Sequence, residues 1–269
     1  MRPIERRTRI GDFTIFTRER TDLAPPRSPH VVLFHGYAAS SRYMVPLLDQ
    51  LAAHCPVYAP DLPGWGKSTK PAHTLGISEL ADVLAEWVVD RGLQRPVFLG
   101  NSLGCQILVE LAVRHPGMLS GLVLVGPTVD PRARSVRQQA LRLAANVPLE
   151  RPSLWPIEVW DWLHMGLPHA FGMVRAMIDD RIEMKLPRVT VPILVVRGSR
   201  DPIVPQAWAE EECRLLPDGS LVVLPGAGHA ANYSAPEGLT AAILPFVDAW
   251  TARSSAPAPI PDCPSPPGS

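Results

Sequence analysis

The 269-residue chain is short of several things, and each shortage excludes a class of protein. It has no apolar run approaching the roughly 18 residues that would suggest a membrane-spanning helix. Lys plus Arg number 26 and Asp plus Glu number 26, so the formal charge is zero. A chain with no excess charge gives no reason to expect a nucleic-acid partner or an anionic membrane surface. The four cysteines, Cys55, Cys105, Cys213 and Cys263, lie far apart with no CxxC pair, which argues against a structural zinc site or a disulfide framework. Metal ions and cofactors are therefore not expected, and a reducing, cytoplasmic setting is the default. The first residues, MRPIERRTRIGDFTIF, carry arginines without an apolar core behind them, so Glu5-Arg6-Arg7 reads as a solvated strand edge rather than an export signal.

What the chain does have is apolar mass for one large domain. Short, almost uniformly apolar runs begin at His30 (HVVLFHG), Pro56 (PVYAPD), Pro96 (PVFLGN), Gly121 (GLVLVG), Pro192 (PILVVRG) and Ser220 (SLVVLPG). Such runs suit strands covered on both faces. Helical patterns lie between them: Ile77, Leu80, Leu84 and Trp87 recur at three- and four-residue steps, and Gly92 offers a stop. Strand and helix in alternation predict an α/β fold, a mostly parallel central sheet with helices on both faces. Function in such sheets collects at the loops leaving the carboxyl ends of the strands.

The alternation breaks once, over about 60 residues between Asp130 and Pro192, too many for an ordinary connection. Helical patterns (RSVRQQALRLAANV, AFGMVRAMIDDRI) and the aromatics Trp155, Trp160, Trp162 and Phe171 mark this insert as a helical cap over the functional edge of the sheet. The expected organisation is a core in two parts, 1–128 and 190–253, a cap at 129–189, and a disordered tail at 254–269 that is rich in Pro and Ser and contains Cys263. Trp155, Trp160, Met165 and Phe171 are the expected substrate-lining residues of the cap.

The stretch FLGNSLGCQ places Ser102 between Gly100 and Gly104. G-x-S-x-G alone arises by chance in roughly one chain of this length in ten. Here it follows an apolar strand and opens a helix, which fits a tight turn that exposes the hydroxyl near a helix N-terminus. A serine becomes a nucleophile only with a base, an orienting group for that base and donors for the oxyanion. Of eight histidines, His229 follows the last strong strand and is the expected base. His35 and His115 suit structural roles at a turn and a helix end, and His164 and His169 lie in the insert. Asp201 leaves the preceding strand and is favoured as the orienting carboxylate, with Asp130 and Asp61 as alternatives. The expected oxyanion donors are the backbone amides of Leu103 and Tyr37.

Five motifs taken together, HGYAAS, DLPGWGKS, GNSLG, GSRDPIVP and GAGHAANYSAPE, resemble those of the α/β-hydrolase fold enzymes across residues 8–252. The order Ser102, Asp201, His229 is that family's order. The resemblance implies a Ser-His-Asp triad, an acyl-enzyme and a helical cap after the sixth strand. The Gly66-Lys67-Ser68 triplet is not a phosphate loop, because position 61 is Asp rather than Gly. GNSLG is similar to the GNSMG elbow of carbon–carbon bond hydrolases, whose oxyanion loop HGxGPG reads HGYAAS here. The expected partner is a small-molecule substrate with an apolar body, and the expected assembly is a monomer or homodimer. A lyase or a small-molecule receptor on the same scaffold is the alternative.

Overall fold

A computed structural model describes residues 2–26 and 28–254. In chain order the strands are β1 (Ile4–Ile10), β2 (Phe13–Arg20), β3 (Val31–Phe34), β4 (Val57–Pro60), β5 (Val97–Asn101), β6 (Gly121–Val125), β7 (Ile193–Gly198) and β8 (Gly219–Leu224). The helices are α1 (Ser41–Leu51), α2 (Ile77–Asp90), α3 (Leu103–Arg114), α4 (Val136–Asn146), α5 (Trp155–Met165), α6 (Leu167–Asp179), α7 (Ile182–Lys185), α8 (Gln206–Leu215), α9 (Ala231–Ser234) and α10 (Pro236–Ser254). The eight strands form one sheet in the order β1-β2-β4-β3-β5-β6-β7-β8. β3 to β8 run parallel, and β1 and β2 extend one edge antiparallel.

The six apolar runs are β3 to β8, and their uniform hydrophobicity has a direct cause. Alternate residues point to opposite faces, and both faces are covered along β3 to β7, whereas β8 at the sheet edge is only partly covered. Val32, Phe34, Phe98, Leu122, Leu124, Ile193 and Val195 pack with α2, α3 and α8. Val31, Leu33, Val97, Leu99, Val123, Val125, Leu194 and Val196 pack with α1 and α10. The α2 stripe Ile77, Leu80, Leu84 and Trp87 is buried as its spacing requires. β1 and β2 announce themselves less clearly. β1 is a polar edge strand whose Glu5, Arg6 and Arg7 are exposed.

Between β6 and β7 the chain runs through α4 to α7 and stays tied to α3 and to the loop after β3 by polar links. Gln106 Nε2 donates to Met177 O at 2.9 Å, Tyr37 Oη donates to Ala170 O at 3.0 Å, and Lys185 pairs with Glu110 at 2.6 Å. Leu154 and Met173 bury apolar surface in the two core layers. Among the described residues no helix is long and apolar enough to cross a membrane. The expected disordered tail, Cys263 included, lies outside the described residues apart from Ser254, where α10 ends.

The tightest point of the fold is where β5 hands over to α3. A Cβ on Gly100 would sit 2.7 Å from the carbonyl carbon of Gly104, and one on Gly104 would sit 3.0 Å from the backbone oxygens of Phe34 and His35. Gly117 has open space around it. Gly100→Ala should therefore lower stability by roughly 1–3 kcal/mol, read from the urea midpoint, whereas Gly117→Ala should leave it within about 0.5 kcal/mol. Equal midpoints for the two variants would contradict this packing.

Candidate active site

The close approach of β5 and α3 sets the backbone of Ser102. Ser102 adopts φ 55° and ψ −118°, a left-handed conformation that a residue bearing a Cβ rarely takes. Strain of this kind persists only where the surroundings enforce it, and it gathers at functional sites. Here the Ser102 amide is held by Val125 O at 3.1 Å, and its carbonyl begins α3 by accepting from Cys105 N at 2.9 Å. Leu103 is the first residue of that helix, so its N–H has no partner within the helix.

Two further loops arrive at the same edge of the sheet. Asp201 follows β7 and is almost fully buried; its Oδ1 accepts from Ile203 N at 2.8 Å and Val204 N at 3.1 Å. The other oxygen, Oδ2, lies 2.8 Å from Nδ1 of His229, which follows β8. Asn101, next to Ser102, ties the loops together: its Nδ2 donates to His229 O at 3.0 Å, and its Oδ1 accepts from Tyr43 Oη at 2.9 Å. Residue 126 must be glycine, because φ is +56° there and a Cβ would lie 2.9 Å from His229 Nδ1. Ser102 and His229 both line one cavity of about 220 Å³. Tyr37 lies on the same wall; its carbonyl accepts from Trp65 Nε1 at 2.6 Å, so the DLPGWGKS loop holds the HGYAAS loop in place.

The other candidates have occupations elsewhere. Asp130 is engaged by Arg142 Nη2 at 2.7 Å and by Arg132 N at 3.0 Å. Asp61 accepts from Ser41 N at 2.6 Å and Lys67 N at 2.8 Å, pinning its own loop. His35 is buried and accepts from Leu62 N through Nε2, and His115 ends α3 beside Asp82. His169 packs edge-on to Trp65, and His164 sits against Trp160.

The expected substrate-lining residues are not on the cavity wall. Trp155, Trp160 and Phe171 are 43%, 54% and 71% exposed, and Met165 is buried in the core. The cause is the rotation of α5. Its inward stripe is Leu154, Glu158, Asp161 and Met165, which leaves Trp155, Val159, Trp160, Trp162 and Leu163 facing outward. The insert instead lines the cavity with Val136, Gln139, Ala140 and Leu143 from α4, Glu158 from α5, and Val174, Met177 and Ile178 from α6. Glu158 is the functional candidate that the sequence reading missed. The signal was a carboxylate, one of two with Asp161, inside the aromatic run WPIEVWDW.

Burial and the neighbouring carboxylates Glu150 and Asp161 raise the Glu158 carboxyl to about 7, against a smaller downward pull from His229. For His229, burial alone would lower the imidazole below its ordinary value of 6.5, but Asp201, Glu150 and Glu158 outweigh it and the net shift is upward. The arrangement can take a proton from a hydroxyl and hold the resulting imidazolium against a fixed carboxylate.

An eight-stranded, mostly parallel sheet with a serine elbow after β5, an acid after β7 and a histidine after β8 defines a class, the α/β-hydrolase fold. The model of the Alpha/beta hydrolase family matches residues 31–243, and the chain belongs to that family. Among curated relatives, a Yersinia enterocolitica protein with the name "Putative carbamate hydrolase RutD" is 28% identical over 85% of this chain and 91% of its own length. The 2-(acetamidomethylene)succinate hydrolase of Mesorhizobium japonicum is 26% identical over 91% of this chain and 96% of its own. The crystal structure of an E-2-(acetamidomethylene)succinate hydrolase superposes with a TM-score of 0.76 at 25% identity, covering 91% of this chain and 99% of that one.

The charge arrangement predicts a titration. The His229 imidazole, followed by NMR, should hold its proton to a pH above 6.5. Asp201→Asn removes the carboxylate that favours the charged form and should move that midpoint downward. A wild-type midpoint below 6.5 would contradict the assigned balance.

Proposed function

We propose that the chain is a serine hydrolase that cleaves an ester, thioester, lactone or related acyl bond of a small substrate with an apolar body. The observation that carries this reading is the 2.8 Å contact of buried Asp201 with His229, which lines the same cavity as Ser102, the residue on the strained turn. The hydrolase names of the relatives and the family match support it.

In this mechanism Nε2 of His229 takes the Ser102 Oγ proton as Oγ attacks the substrate carbonyl carbon. Asp201 holds the ring in the tautomer that leaves Nε2 free to accept, and it stabilises the imidazolium. The tetrahedral oxyanion is held by the backbone N–H groups of Leu103 and Tyr37, with the N-terminus of α3 adding favourable potential. Collapse expels the alcohol or thiol, which takes the proton from His229. Water, deprotonated by the same imidazole, then attacks the acyl-enzyme, and the acid leaves with Ser102 restored.

The insert acts as a cap. Val136, Leu143, Val174, Met177 and Ile178 give the cavity its apolar wall, and its volume of about 220 Å³ suits a compact substrate. The name of one relative carries a carbamate and that of another an acetamidomethylene succinate, both compounds with a carbonyl next to nitrogen. The succinate in one of those names is a dicarboxylate, and it fits this cavity poorly, because no lysine or arginine lines it.

A fluorophosphonate probe should label the wild type and not Ser102→Ala, and Ser102→Ala or His229→Ala should cut turnover of an activated ester by roughly ten-thousand- to million-fold with the fold intact. A folded wild type that neither reacts with the probe nor turns over activated esters would favour a lyase or a receptor on the same scaffold.

A further inference from the structure

The charge of the cavity wall is one-sided. Apart from His229, the only ionisable acid or base among its lining residues, tyrosines aside, is Glu158; the others are apolar or neutral polar, and none is lysine or arginine. Two arginines on elements that flank the cavity are already committed. Arg42 pairs with Asp161, and Arg142 is bound to Asp130 Oδ2 at 2.7 Å and to Ile203 O at 3.0 Å. Among the described residues no lysine or arginine forms a salt bridge with Glu158.

Behind this wall stand more carboxylates. Glu150 is buried; its Oε1 accepts from Ala230 N at 2.8 Å, while its Oε2 has no hydrogen-bond partner. Asp201 sits under His229. Once Glu158 is ionised, a ligand carboxylate placed against it meets repulsion in a partly desolvated setting. A ligand cation meets the opposite. It would find one carboxylate on a wall otherwise free of acidic side chains, with Tyr37 and Tyr43 among the residues lining the same space. A carboxylate beside aromatic residues is chemistry that recognises ammonium groups.

We propose that Glu158 is a specificity residue that selects acyl substrates bearing an ammonium or quaternary ammonium group at the end remote from the scissile carbonyl. The proposal rests on the serine-hydrolase reading of the same cavity. It also accounts for the orientation of α5, which turns a carboxylate inward and its tryptophans outward. In the free protein, burial and Glu150 keep the Glu158 proton bound up to about pH 7; an arriving cation displaces that proton and supplies the missing partner.

The test uses p-nitrophenyl esters of three acids of matched length, one ending in trimethylammonium, one in its uncharged tert-butyl isostere and one in a carboxylate. For the wild type, kcat/KM should fall in the order cationic, neutral, anionic, with the cationic-to-neutral ratio on the order of tenfold, as for one partly desolvated charge pair. Glu158→Gln should bring that ratio close to one, and Glu158→Lys should place the carboxylate ester ahead of the cationic one. Ratios within each variant cancel changes in the catalytic groups or in folded fraction. Equal kcat/KM values for the three wild-type esters, or a cationic preference that survives Glu158→Gln, would overturn the role of Glu158 while leaving the hydrolase reading in place. If none of the three esters is turned over in a Ser102-dependent way, the hydrolase reading fails and this inference fails with it.

Discussion

The handover from β5 to α3, too tight for a side chain at residue 100, is the constraint on which the rest of the structure depends. It forces Ser102 into a left-handed backbone at the carboxyl end of a central strand, so the hydroxyl emerges where the loops after β3, β7 and β8 also arrive. The parallel sheet makes this meeting place possible, because every crossover returns its strand to the same edge. Asn101 adds local precision, linking the Ser102 turn to the His229 loop and, through Tyr43, to α1.

Electrostatics then separate the carboxylates. Asp130, Asp61 and Asp201 all follow strands and are all buried, yet only Asp201 hydrogen-bonds to His229. Arg142 occupies Asp130, and two backbone amides occupy Asp61. Sequence spacing could rank these three but could not choose among them, since the choice depends on which cation or amide each one meets in space. The alternating core was far more legible. Val31 to Phe34 and Ile193 to Gly198 bury every residue, and a strand buried on both faces has to read as an apolar run. β1 was legible only as a solvated edge, because a strand at the rim of a sheet has little to bury.

The insert shows where hydropathy stops being informative. Its tryptophans suggested a lining, but hydrophobicity does not encode the rotation of a short helix about its own axis. On α5 that rotation is set by Leu154 and Met165 in the core and by Asp161 on Arg42, and these anchors turn Glu158 inward with them. The cavity consequently takes its apolar surface from α4 and α6 and its charge from α5. Glu158, one of two acidic residues in that aromatic stretch, lines the cavity, whereas the tryptophans around it do not.

The proposed mechanism requires Ser102 to carry the acyl group between two half-reactions. The most direct measurement is rapid mixing of the protein with an activated ester, followed by acid quench and mass analysis of the peptide containing residue 102. The expected result is a burst of released phenol close to one equivalent per active site, together with the mass of one acyl group on Ser102. Hydrolysis that is linear from the first turnover, with no acyl mass on that peptide even where water attack has been slowed, would contradict it.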